Sequence, residues 1–274
     1  MSGLSNLQLR VISAIVLAVV MLALTWLGGL PFRLLAAVIA LAMFYEWCAM
    51  SRTVSNGAYQ WLSTILLVMA MLVMVAGVAA DVVWLVFAAV VVISAVTGLI
   101  RGQGTWTTLG VIYAGLSGIS LALLRGTDAA GLIAILFLFA TVWATDILAY
   151  FVGRAVGGPK LAPAISPGKT WSGAIGGTLG GVIAGGTVAA WSGAAGLAEI
   201  VPVALFLSIV SQAGDLFESW VKRRHGVKDS SHLIPGHGGV MDRVDGLVVA
   251  ALALYVIGAL FGGADNPAAG LFSF

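Results

Sequence analysis

Long apolar segments recur along the whole chain, and they restrict its fold more than any other feature. A helix needs about 20 mostly apolar residues to cross a bilayer. The segments do not alternate apolar with polar residues, as the strands of membrane barrels do. The sequence therefore predicts an all-α, polytopic integral membrane protein with about nine transmembrane helices in a single membrane domain, 1–274. The segments lie near 11–27, 32–50, 61–79, 82–100, 106–124, 129–151, 172–191, 199–223 and 244–262.

The composition excludes an ordinary soluble protein. Charged residues make up 9% of the chain and hydrophobic residues 61%, whereas soluble domains carry about 25% charged residues. No small-residue cleavage site convincingly ends the first segment, so we interpret it as a retained helix. The single cysteine, Cys48, excludes a disulfide framework within one chain.

The distribution of Lys and Arg predicts the orientation. With the N terminus in the cytoplasm, eleven of these residues fall on the cytoplasmic side and two, Arg33 and Arg125, on the far side. Cytoplasmic loops of membrane proteins are enriched in positive charge. We therefore expect a cytoplasmic N terminus and a C terminus on the far side. The polar segments 146–173 and 211–245 would then lie on the cytoplasmic side, within reach of nucleotides.

Small residues at four-residue spacing predict close helix packing. Gly173, Gly177 and Gly181 share one face of the predicted seventh helix. Small residues in this pattern let helix backbones approach closely inside a membrane.

The polar segment 146–173 has the residue types of a phosphate-binding loop. Asp146 lies near the end of an apolar helix, where an acid is costly unless it has a partner or a function. The following loop is rich in glycine and supplies cationic and hydroxyl donors, and the next helix can offer N-terminal N–H groups to an anion. The P-loop pattern GxxxxGK[ST] is absent. The alternative is a basic loop that contacts lipid headgroups. The donors are Arg154, Ser166, Lys169 and Thr170.

The polar segment 211–245 concentrates the charge of the chain. It holds five of the eleven acids, five of the thirteen Lys and Arg residues and all three histidines. The spacing of Asp215, Glu218, Ser219 and Lys222 places them on one helix stripe. Pairing of Asp215 with Ser219, or of Glu218 with Lys222, is the structural alternative. It explains Glu218 well, but it does not explain why Asp215 lies in an apolar run.

Several carboxylates in these segments predict a divalent-metal site. Asp242 and Asp245 are three residues apart at the start of the ninth helix, where one of them could complement the helix dipole. Together with Asp215 they indicate a carboxylate-lined site, and oxygen ligands suit magnesium. Asp146 is a further candidate ligand.

The histidines do not indicate zinc. His225, His232 and His237 lack zinc-site spacing and have no cysteine nearby. His237, which lies between glycines, is more plausible as a phosphate or base contact than as a metal ligand.

Polar and glycine positions at fixed spacing extend through the second segment. They read Ser219-x-Val221-Lys222-Arg223, Lys228-Asp229-x-Ser231 and Ile234-Pro235-x-His237-Gly238-Gly239-Val240-x-Asp242-Arg243-Val244-Asp245. This pattern resembles the signature of the phosphatidate cytidylyltransferase family, also called CDP-diacylglycerol synthases. The upstream Ser166-Pro167-x-Lys169-Thr170 is similar to that family as well.

The resemblance implies that CTP and phosphatidate react to give CDP-diacylglycerol and pyrophosphate, with magnesium required. It also implies a homodimeric enzyme of the inner membrane, in contact with membrane lipids and with no nucleic-acid partner. Asp215 and Asp242 would be the best metal ligands, whereas the number of ions and the participation of a monovalent ion stay open. The expected catalytic residues are Asp215, Lys222, Arg223, Lys228, Asp229, His237, Asp242 and Arg243. The expected substrate-binding residues are Arg154, Ser166, Lys169, Thr170, Ser219, Gly238 and Gly239.

Other functions are compatible with parts of this pattern. A CTP-dependent polyprenol kinase, or a cytidylyltransferase for another lipid phosphate, would need similar polar residues. A transporter could use Glu46, Asp81 and Asp146 along a pathway. However, a transporter would distribute polar residues through several spans, whereas the polar residues here cluster at one edge. The aspartate-rich motif of CDP-alcohol phosphotransferases is absent.

The metal assignment predicts that Asp215→Asn and Asp242→Asn each abolish activity while the protein stays folded in detergent. Each substitution removes a charged oxygen ligand and changes little else. Turnover at saturating magnesium is the measurement, and a near-wild-type rate in either variant contradicts the assignment.

Overall fold

A computed structural model of the protein describes residues 6–51, 57–102, 105–234 and 238–272. Nine α-helices and one two-stranded hairpin occur in these ranges. The helices are α1 (Asn6–Leu27), α2 (Gly29–Met50), α3 (Gly57–Ala76), α4 (Ala80–Ile100), α5 (Trp106–Arg125), α6 (Ala129–Val156), α7 (Trp171–Ser192), α8 (Leu197–Arg224) and α9 (Met241–Gly262). The antiparallel strands are β1 (Lys160–Ala162) and β2 (Ser166–Thr170), and a 3₁₀ helix covers Pro267–Gly270.

The helices confirm an all-α polytopic membrane protein. Within the described ranges, the eight helices α2 to α9 are long and apolar enough to cross a membrane, and α1 adds a shorter apolar stretch, Val11–Leu27. Large apolar side chains remain exposed on their outer faces, including Ile100, Ile183 and Leu260. Such faces can contact lipid, because their side chains are apolar and a helix satisfies the hydrogen bonds of its own backbone.

The structure extends several of the predicted helices by a few residues. α6 runs five residues beyond the predicted end at 151, and α8 begins at Leu197 rather than near 199. Part of the predicted loop 152–171 is therefore helical, and most of the remainder forms the hairpin. The local pattern that ends α6 is Gly157-Gly158, since both glycines have positive φ, 68° and 104°.

The chain forms two compact units. The first comprises residues 1–122 and 225–244, and the second comprises 123–224 and 245–274. In the first unit, α2 packs on α1 and α3, and α3 packs on α4. One group of buried hydroxyls in this unit pairs internally, as the Tyr59 hydroxyl does with Thr108 Oγ1 at 3.0 Å. Interhelical hydrogen bonds of this kind satisfy polar groups that lipid cannot.

The second unit is built around α6, α7 and α8. A Cβ atom on Gly173 would lie 2.6 Å from the Ala149 carbonyl oxygen, and one on Gly177 would lie 2.5 Å from the Thr145 carbonyl oxygen. The predicted close packing of the four-residue glycine pattern is thus confirmed, with α6 as the partner helix. On α8, a Cβ atom on Gly214 would lie 3.0 Å from the carbonyl oxygen of Asp245 on α9. Small residues therefore bring α7 close to α6, and α8 close to α9.

Substitution of Gly177 by Ala should destabilise the protein, whereas Gly186→Ala on the same helix should not. A Cβ atom on Gly186 meets only the Leu197 Cδ2 atom at 3.8 Å, an ordinary contact. Overpacking at Gly177 should cost about 1–3 kcal/mol, while Ala in place of Gly favours a helix by about 1 kcal/mol. Thermal unfolding in detergent would compare the two variants, and equal melting temperatures would contradict the close approach of α6 and α7.

Candidate active site

One cavity in the second unit is lined mainly by residues of the first polar segment. It has a volume of about 600 Å³ and is bounded by the end of α6, the hairpin, the start of α7 and part of α8. Gln212, one turn before Asp215 on α8, also lines it. Six of the residues predicted from sequence line this cavity: Asp146, Arg154, Ser166, Lys169, Thr170 and Asp215.

The hairpin positions the donors of the cavity by local contacts. Thr170 pairs with Lys160 across the strands and forms the N-cap of α7, where its Oγ1 accepts a hydrogen bond from the Gly173 N–H at 3.1 Å. Gly153 allows this arrangement, since a Cβ atom there would lie 2.8 Å from Thr170 Oγ1. The Thr170 hydroxyl therefore has a capping role, and its predicted role in substrate binding stays a prediction.

An ion pair joins the hairpin to α8. Lys169 Nζ donates to Asp215 Oδ2, and the two side chains are about one quarter exposed, at 27% and 25%. Ser219 Oγ lies 3.4 Å from Asp215 Oδ1. Both polar segments thus contribute to this site, Lys169 from the first and Asp215 from the second.

Three carboxylates meet on α8 and α9. Asp215, Glu218 and Asp245 each offer an oxygen, and these oxygens lie within 4.8 Å of one another. Glu218 is completely buried, and Lys222 Nζ donates to its Oε2 at 3.0 Å. Buried acids in such proximity need cations to offset their repulsion, and hard oxygen ligands suit a divalent ion such as magnesium.

Glu218 is a candidate ligand that the sequence analysis missed. The predicted Glu218–Lys222 pair does form, and it accounted for the residue without a metal. The helical spacing of Asp215 and Glu218 was the available signal. The spacing could not show that a carboxylate oxygen of Asp245, on α9, lies within 4.8 Å of oxygens of Asp215 and Glu218.

Asp242 accepts hydrogen bonds from the part of the second polar segment that belongs to the first unit, between α8 and α9. Its Oδ2 accepts hydrogen bonds from the backbone N–H of Ser230 at 2.9 Å and of Gly239 at 2.8 Å. Gly238 has φ of 84°, and a Cβ atom there would lie 2.8 Å from the same oxygen. These contacts resemble the end-of-helix role considered for this residue, and its role as a metal ligand stays a prediction.

The remaining predicted residues are mostly solvent-accessible. Lys228, Asp229 and Arg243 are exposed in the first unit. Arg223 is exposed on α8, where its Nε donates to the Ile165 carbonyl oxygen at 3.4 Å. His237 lies outside the described residues.

Comparison with known proteins identifies the family. The model of the cytidylyltransferase family matches residues 8–261, nearly the whole chain. The chain belongs to the cytidylyltransferase family.

Relatives within the cytidylyltransferase family are similar over their full length. The phosphatidate cytidylyltransferases of Brucella suis and Brucella melitensis are each 50% identical to the chain over 274 residues, covering 99% of the chain and 100% of the relative. The phosphatidate cytidylyltransferase of Bacillus subtilis is 32% identical over 269 residues, covering 93% of the chain and 99% of the relative. The resemblance found in the sequence is therefore confirmed.

The cavity of this cytidylyltransferase-family protein should admit water-soluble reagents. Gly168 is exposed in the hairpin and lines the cavity, and a Cβ atom added to it would meet nothing within 4 Å. A cysteine there should react quickly with a cationic methanethiosulfonate, because thiol reactivity requires exposure. The native Cys48 is buried and should stay unreactive.

Mass spectrometry of the labelled protein in detergent would measure the reaction. Gly186→Cys, at a buried position on α7, is the matched control. Equal labelling of the two variants would contradict an open, aqueous cavity.

Proposed function

We propose that this chain transfers the cytidylyl group of CTP to phosphatidate, forming CDP-diacylglycerol and releasing pyrophosphate. The observation that carries this proposal is 50% identity over the full length to relatives named phosphatidate cytidylyltransferase. The cavity supports it independently, because it combines cations, hydroxyl donors and carboxylates where two phosphorylated substrates would have to meet.

The nucleophile of the proposed reaction comes from the substrate. A phosphate monoester has a second pKa near 6, so the phosphatidate phosphate is largely dianionic at pH 7. One of its oxygens attacks the α-phosphorus of CTP, and the bond from that phosphorus to the oxygen that bridges it to the β-phosphorus breaks. The leaving pyrophosphate takes the electron pair of this bond. The protein therefore has to position two polyanions and neutralise their charge, as in other phosphoryl transfers.

The cavity supplies cations for this task. Lys160, Lys169 and Arg154 line it, and the guanidinium of Arg154 donates to the Tyr150 hydroxyl at 3.1 Å. The side chains of Lys160 and Arg154 are exposed, so both can turn toward a phosphate. Ser166 adds a hydroxyl donor on β2.

We propose that magnesium is held by Asp215, Glu218 and Asp245, whose oxygen donors fit this ion. Bound there, the ion would supply charge neutralisation for the phosphates of the substrates. Lys169 and Lys222 contact two of the same carboxylates, Asp215 and Glu218. The positive charges of these lysines lower the mutual repulsion of the acids. Asp242 and Asp146 remain proposed ligands on the basis of the sequence.

The transmembrane helices suit a lipid substrate, whose acyl chains can stay in the bilayer while its headgroup reaches the polar residues. We further propose that the protein resides in the cytoplasmic membrane with both polar segments facing the cytoplasm. The excess of positive charge predicted for that side supports this orientation. Assembly as a homodimer in contact with membrane lipids is proposed on family resemblance.

The proposed function predicts a specific labelling pattern. Purified protein in liposomes, given phosphatidate and CTP, should move an α-phosphate label into lipid only when magnesium is present. Appearance of unlabelled pyrophosphate should follow the same time course. A γ-phosphate label in lipid would instead indicate a kinase, and absence of any transfer from folded protein would contradict the proposal.

A variant of Glu218 tests the metal part of the same assay. Glu218→Gln should raise the magnesium concentration for half-maximal transfer by at least about 10–100-fold, because loss of even an outer-shell partner of a metal ligand costs that much. Glu199→Gln is the matched control, because Glu199 is exposed at the start of α8. An unchanged magnesium requirement in Glu218→Gln would contradict its assignment as a ligand.

A further inference from the structure

A second buried carboxylate, separate from the three described above, lies on α2. Glu46 is 0% exposed, and it accepts four hydrogen bonds. Its Oε1 accepts from Ser231 Oγ at 2.6 Å and from the Val240 N–H at 2.7 Å. Its Oε2 accepts from Ser230 Oγ at 3.0 Å and from the Met241 N–H at 2.7 Å. All four donors belong to the polar segment of the first unit.

The donors around Glu46 are all neutral. They are two hydroxyls and two backbone amides, and no cation contacts this carboxylate among the described residues. A buried carboxylate is costly unless it is hydrogen-bonded, so Glu46 depends on the segment for its stability. The segment in turn has little regular structure between α8 and α9, since its described residues there form one isolated bridge, between Ile234 and Gly238. Its fixed contacts are those with Asp242, described above, and those with Glu46.

Ser230 connects Glu46 to Asp242. Its Oγ lies 3.0 Å from Glu46 Oε2 and 2.9 Å from Asp242 Oδ2. A hydroxyl carries one hydrogen and can donate to one carboxylate at a time, so the two acids share this donor. Any displacement of the Glu46 carboxylate therefore changes the environment of Asp242.

Gly239 lies next to Ser230 and Glu46. A Cβ atom there would collide with Ser230 Oγ and would lie 2.5 Å from Glu46 Oε1. Any other residue would push the segment away from Glu46. The Gly238-Gly239 pair of the sequence signature thus has a structural reason in the first unit: Gly238 provides a positive φ, and Gly239 allows close contact with Glu46.

We propose that Glu46 is a positioning residue for the transfer reaction: its carboxylate ties Ser230 and Ser231 to Val240 and Met241 and so fixes the backbone next to Asp242 and Arg243. The inference rests on the proposed function only where it concerns turnover. The effect of Glu46 on the backbone of the segment, called the clamp below, concerns conformation alone and can be tested without substrate.

Glu46→Gln is the direct test. The amide keeps the shape of the carboxylate but replaces one acceptor oxygen with an NH₂ donor, which then faces either the Val240 or the Met241 N–H. We expect kcat for cytidylyl transfer to fall at least tenfold. Hydrogen exchange in a peptide covering 238–244 should become at least tenfold faster, while peptides from α6 exchange as in the wild type.

Two further variants keep the test decisive. Ser231→Ala removes one of the four donors and leaves the carboxylate charged, so it should change the same two measurements in the same direction by a smaller factor. If Glu46→Gln fails to fold, Ser231→Ala alone decides the outcome. Glu199→Gln makes the same chemical change at an exposed site and should match the wild type in both measurements.

The outcomes separate the clamp from the proposed function. Unchanged exchange at 238–244 in the folded Glu46→Gln and Ser231→Ala variants would overturn the clamp. Faster exchange with wild-type kcat and KM would overturn the positioning role. Faster exchange that spreads equally to α6 would indicate general destabilisation and would also overturn it. Absence of transfer by the wild type would count against the proposed function, and the exchange measurement would still decide whether the clamp exists.

Discussion

Acidic side chains buried among apolar helices must be neutralised or hydrogen-bonded inside the protein, and both polar segments are arranged around this requirement. In the second unit, Glu218 forms an ion pair with Lys222, and Asp215 forms an ion pair with Lys169. In the first unit, Glu46 is satisfied by four neutral donors. Removing one partner of a buried charge usually costs several kcal/mol, so these contacts constrain the neighbouring backbone strongly.

The two kinds of solution suit different purposes. The lysine partners of the carboxylates on α8 are flexible side chains, so they can change partner when a metal ion or a phosphate arrives. Neutral backbone donors instead tie Glu46 to one arrangement of one segment, because amides cannot move without moving the chain. The first arrangement suits a site that binds charged ligands, and the second suits a fixed position for the backbone beside Asp242.

Glycine makes both arrangements possible for steric reasons. On α7, Gly173 and Gly177 bring the helix backbone against α6, and this places the start of α7 and its Thr170 cap beside the cavity. In the first unit, Gly239 gives Glu46 room to reach the segment. Glycines thus allow close contact between helices in the second unit and close contact with a carboxylate in the first unit.

The membrane class, the approximate helices and the family all follow from the order of residues alone. Each of these depends on local composition or on a motif of fixed spacing, as the residues from Ser219 to Asp245 illustrate. Six polar residues of the cavity could be predicted in the same way, and most of them lie in one connection that is rich in hydroxyls, cations and glycines. The place of Glu218 beside Asp215 and Asp245, and the partners of Glu46, became visible only in the folded chain. Glu46 lies 184 residues before Ser230 in the chain, and no helical periodicity can relate positions so far apart. Contacts of this kind arise from the packing of helices, which depends on many side chains at once.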